Sequence, residues 1–108
     1  MQHGEWSSGP VMVADTFWRR LRGIHAAPRR WGVLIPGRSV HGVFTASRLW
    51  AVGLDRTLQV VGVRGLRPGG LVVFREAAAV LELRGDRVPP RVGWRLSWKG
   101  GVSLWPGA

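Results

Sequence analysis

A chain of 108 residues that is 45% hydrophobic and 20% charged has room for one domain with a modest core, and is too apolar to remain disordered. It has no cysteine, which excludes disulfides, thiol catalysis and thiolate metal sites, and no stretch nears the roughly 20 apolar residues of a membrane helix. Sixteen basic residues against six acidic ones give a net charge of +10, and every basic residue except Lys99 is arginine.

In chain order, residues 1–10 show neither the basic region nor the apolar region of a secretion signal and read as a flexible lead-in. A single compact β-rich domain is expected over 11–108, with a cytoplasmic location. After the apolar run 11–13, Asp15 is a good helix N-cap. Phe17, Leu21 and Ile24 recur at helical spacing with Trp18 alongside, while Arg19, Arg20 and Arg22 point elsewhere. Gly23 supplies the left-handed residue that ends helices. The predicted helix, about 15–23, is about two turns long and must dock on other structure to persist.

Pro28 discourages further helix in the connector 25–30. Residues 32–35 form a short apolar run closed by the turn pair Pro36-Gly37. The strand predicted at 39–45 places Val40 and Phe44 on one face and Ser39, His41, Val43 and Thr45 on the other. In 49–54, Trp50, Val52 and Leu54 share a face. Asp55-Arg56-Thr57 is a tight turn without glycine, and 59–63 returns as the hairpin partner. Residues 65–70 are a loop by composition; 71–75 fit a strand or an irregular excursion. Ala77-Ala78-Ala79 has helical propensity, whereas 80–83 reads as strand with Leu81 and Leu83 facing one way. After the break at 84–90 comes the cleanest alternation in the chain. Val92, Trp94, Leu96 and Trp98 line one face, and Arg91, Arg95, Ser97 and Lys99 the other. Residues 102–105 pair back through the turn at Lys99-Gly100-Gly101.

About seven or eight short strands with glycine and proline between them predict a mostly β fold of the α+β kind, a small barrel-like or rolled, mainly antiparallel sheet. The one helix would cap an end or cover a face.

Several segments resemble the family called domain of unknown function 192. Val13-Ala14-Asp15-Thr16, followed by Arg22-Gly23-Ile24, is similar to the opening signature of that family, and Arg38-Ser39-Val40-His41 to its central strand. Leu54-Asp55-Arg56 is similar to its Leu-Asp turn, Val60-Val61 to the next strand, and Ala79-Val80-Leu81-Glu82-Leu83 to its Val-Leu-Glu-Leu strand. Thr45 and Trp50 stand where the family usually carries Met and Asp, and Gly93-Trp94 where it carries Gly-Asp. The resemblance implies a compact β-rich, barrel-like fold with one N-terminal helix and transfers no activity.

Candidate chemistry is sparse. His41 lies inside a predicted strand and Asp55 one short hairpin away, a couple able to orient a base for an attacking water. Ser39 shares the strand face of His41. These three are the candidates for a hydrolase-like enzyme centred on His41, although turn or sheet-edge hydrogen bonding explains each separately. His3, His25 and His41 have no metal-ligand spacing, and neither metal nor cofactor is expected. The charge has two readings, a footprint for nucleic acid or another polyanion, or a coding bias that also favours glycine. Arg38, Arg48, Arg64, Arg91 and Arg95 are the polyanion-binding candidates. Seven tryptophans suit stacking on bases, but alternation assigns Trp94 and Trp98 to the core. Trp6, Trp31 and Trp105 fall in loops or termini, where they suit a binding surface or a homodimer contact. The chain reads as a binding or structural module rather than an enzyme.

Overall fold

The computed structural model describes residues 1–13, 32–41 and 48–98, His41 by its backbone. Every regular element among them is a strand. The most apolar runs take the middle of the main sheet. β9 (Ala79–Arg84) lies between β4 (Gly32–Pro36) and β6 (Leu49–Leu54), antiparallel to both. Such runs suit a sheet covered on both faces, because alternation has no wet side to mark. β3 (Val11–Val13) flanks β4 in parallel, and β7 (Val60–Leu66) flanks β6, giving the order β3-β4-β9-β6-β7. Gly62, Arg64 and Gly65 thin out the apolar content of β7, as befits an edge.

One face carries Val33, Ile35, Leu49, Ala51, Leu66 and Val80. It is covered by Phe74, Ala77 and a two-stranded antiparallel sheet of β5 (Ser39–His41) and β8 (Leu71–Val73), which contributes Val40 and Val72. Phe74 settles how this cover seats. Gly53 and Gly62 are register partners, and an added Cβ would stand 2.7 Å from Phe74 Cγ at Gly53 and 2.6 Å from Cδ1 at Gly62. The ring therefore lies on two bare stretches of backbone. Of the two readings of 71–75, the strand holds for Leu71–Val73, and it ends where Phe74 turns inward, its N–H donating to the Arg38 carbonyl at 2.7 Å.

The other face carries Leu34, Val52, Leu54, Val60, Ala79, Leu81 and Leu83. It is closed by the hairpin of β1 (Gln2–His3) and β2 (Trp6–Ser7) and by residues 91–98. Met1 and Leu96 are buried there, and Trp6, Trp50, Trp94 and Trp98 pack half-buried around them. Paired bridges at Gln2–Ser97 and Gln59–Arg95 stitch this layer to itself and to the sheet.

Three expectations change. The described residues make an open sheet with β3 and β7 at its edges, not a closed barrel, because separate covers bury both faces without closure. Residues 1–10, expected to be a flexible lead-in, include a hairpin, since Met1 and Trp6 fill an otherwise bare face. Residues 91–98 are not one continuous strand: Gly93 at φ +93° and the Trp94 N–H to Arg91 carbonyl bond turn the chain, leaving Val92 61% exposed. The helix predicted at 15–23 lies outside the described residues.

The substitution Gly62→Ala should destabilise the fold by about 1–3 kcal/mol, since its methyl must displace a buried ring. Combining it with Phe74→Leu should cost less than the sum of the two single changes. Urea titration of the four proteins checks this, and strict additivity would show that the ring does not sit on Gly62.

Candidate functional site

The turn between β6 and β7 is built by Asp55. Its Oδ1 accepts hydrogen bonds from Thr57 N–H at 2.8 Å, the Thr57 hydroxyl at 2.7 Å and Gln59 N–H at 3.0 Å. These bonds replace the glycine the turn lacks, and Leu58 takes the left-handed conformation at φ 63°. The Thr57 hydroxyl above all, helped by the Gln59 and Thr57 amides and the charge of Arg95, holds the Asp55 carboxyl below its ordinary range although burial pushes it the other way. Ser39 is exposed on β5 opposite Val73, in a different sheet. His41 pairs with Leu71 through its backbone, and its side chain lies outside the described residues. Among the described residues no hydrogen bond joins Ser39 to Asp55.

Arg38, Arg48, Arg64, Arg91 and Arg95 are all exposed, in three places. Arg48 and Arg64 share the end of the sheet where β6 begins and β7 finishes. The Arg48 side chain runs along the Gly65 backbone, and its carbonyl accepts from Gly85 N–H at 3.1 Å. Arg38 follows β4 at the opposite end. Arg91 and Arg95 lie in the segment that closes the second face. Arg56, Arg67 and Arg75 are exposed as well. Among the described residues no ion pair neutralises any of these eight.

Arg91 and Arg95 have aromatic neighbours. Gly4, at φ +56°, takes the first turn position of the β1–β2 hairpin, so that His3 and Trp6 face each other across it. The His3 ring stacks on Trp94 with centroids 4.3 Å apart and planes 13° from parallel. His3 Nδ1 donates to the Arg95 carbonyl at 3.2 Å, and Trp6 Nε1 to the Val88 carbonyl at 2.7 Å. Arg87 Nη2 donates to the Ser7 carbonyl at 3.2 Å. Trp94 stacks on His3, and His3 is the cross-strand partner of Trp6, a row of three aromatic positions tied through backbone bonds to the segments that carry Arg87, Arg91 and Arg95. The signal for this row was slight: a glycine pinned between a histidine and a tryptophan.

Sequence reasoning also passed over Glu82, which is only 4% exposed in the middle of β9. Its register partners are Val33 and Ala51, which pair onward with Met12 and Arg64, so a carboxyl sits inside an apolar row with arginine at its end. Burial pushes that carboxyl up to about 7. Trp50 Nε1 is also buried and has no hydrogen-bond partner among the described residues. No group of three or more His, Cys, Asp or Glu among the described residues could hold a metal, and they include no helix long and apolar enough to cross a membrane.

No protein-family model matches the chain, and no curated protein matches it. Among solved structures it is similar to a protein of unknown function from Novosphingobium aromaticivorans DSM 12444, with 15% identity and a TM-score of 0.55. The likeness covers 70% of this chain and 63% of that one, less than two thirds of its length. At this identity it shows the fold alone.

Glu82 gives a test of the site's electrostatics. Its carboxyl rises from 4.5 to about 7 on folding, so the folded state holds the extra proton between those values. Stability should therefore fall as pH rises from about 4.5 to about 7, by about 3 kcal/mol in all, and then level off. Glu82→Gln should match the parent at about pH 4.5 and exceed it above pH 7. Urea midpoints across that range check this; the same pH dependence in both proteins would contradict it.

Proposed function

We propose that this chain is a small β-sheet module that acts by binding a polyanion, nucleic acid in particular, rather than by catalysis. The observation that carries the reading is the set of exposed arginines without an ion pair among the described residues, of which Arg95 alone feels a carboxylate, that of Asp55. Of the described acids, Glu82 is buried and Asp55 is engaged in its own turn, leaving Glu5, Glu76 and Asp86 exposed against eight arginines. A surface so unbalanced attracts polyanions at long range and gains by releasing their counterions. Arg38, Arg48, Arg64, Arg91 and Arg95 are the residues assigned to it. The engagement of Asp55 favours this over a hydrolase-like site at His41, whose base it would have to orient.

We also infer that the chain is a divergent member of the domain of unknown function 192 family. What supports this is the order of the similar segments, several of which coincide with β5, the β6–β7 turn, β7 and β9.

Fluorescence anisotropy of a labelled single-stranded oligonucleotide tests the binding. Five phosphate contacts predict an affinity that falls about a hundredfold between about 50 and 200 mM salt. The pair Arg91→Gln and Arg95→Gln should lower the slope of log affinity against log salt by about 1.4. Absence of binding at the lowest salt would overturn the reading.

A further inference from the structure

We propose that the ring row Trp94–His3–Trp6, with Arg87, Arg91 and Arg95 beside it, is a stacking platform for the unpaired bases of single-stranded nucleic acid. This rests on the polyanion reading and narrows it to one surface and one class of ligand.

Two observations lead there. First, the rings are held in place. Trp94 packs on the core and against His3, His3 is tied to the Arg95 carbonyl, and Trp6 to the Val88 carbonyl. A base that stacks on fixed rings costs little ordering of the protein. Second, His3, Trp6 and Trp94 each keep part of their surface open to water, and the neighbouring Val88 and Val92 are 76% and 61% exposed. Apolar surface open to water beside arginines is what a strand needs when its bases are splayed out and its phosphates run alongside. A duplex hides its base faces and offers such a row only phosphates. Glu5, at the hairpin tip, is the exposed carboxylate nearest the row in sequence and opposes phosphate there.

The experiment compares a thymidine oligonucleotide with an abasic deoxyribose-phosphate oligomer of equal length and charge, at one low salt concentration. The platform predicts that the thymidine strand binds about tenfold tighter or more. Trp6→Leu, which keeps apolar bulk but has no ring face, should close most of that gap. Trp6→Phe should keep most of it, although it lacks the indole N–H. Glu5→Gln should tighten both ligands alike. Equal affinity of the native protein for the two oligomers would overturn the platform while leaving the polyanion reading intact. If neither oligomer binds, both fall.

Discussion

Strand β9 is hydrogen-bonded along both edges, to β4 and to β6, and five of its six side chains are out of water. A strand so placed cannot form until its neighbours and both covers are present, which makes the sheet cooperative. Glu82 shows how strongly the surroundings dominate: a carboxyl in that position gives up its charge near neutrality rather than remain ionised in an apolar row. Phe74 shows the same constraint from above, since its ring reaches the sheet only where two glycines leave the backbone bare.

The second face is closed by a piece of chain that could not fold by itself. A hairpin with two residues in each strand is far below independent stability. It holds because Met1 is buried in the core cluster and Trp6 packs against its edge, while Gln2 and Ser97 exchange backbone hydrogen bonds. The same clamping fixes His3 against Trp94 and Trp6 to the Val88 carbonyl, so the surface proposed to meet nucleic acid follows from how the fold finishes its core.

The centre of the sheet was legible because it is made of residues whose pattern is unambiguous. Trp50, Val52 and Leu54 share a face as their alternation requires, and so do Leu81 and Leu83. The turn at Asp55 was readable without a glycine because a carboxylate can hold a turn through its own hydrogen bonds. The burial of Glu82 was not readable: a charge inside an apolar run looks like an outward position until the topology puts its strand in the middle. Strands of two residues carry no periodicity, which hid the first hairpin. The alternation through Val92 was misleading, because Gly93 turns the backbone within it. The arginines could be named from the sequence, but only pairing register shows that they fall in three places.

The hairpin and the 91–98 segment form one layer locked to the sheet. Native-state hydrogen exchange of the backbone amides of Gln2, Leu96 and Ser97 tests this most directly, because their bonds to Ser97, Leu58 and Gln2 are the ones that tie the layer down. Protection within about tenfold of that at Leu81 in β9 is expected, because opening requires unfolding much of the molecule. Exchange at these three amides as fast as in an unstructured peptide, with Leu81 still protected, would contradict it.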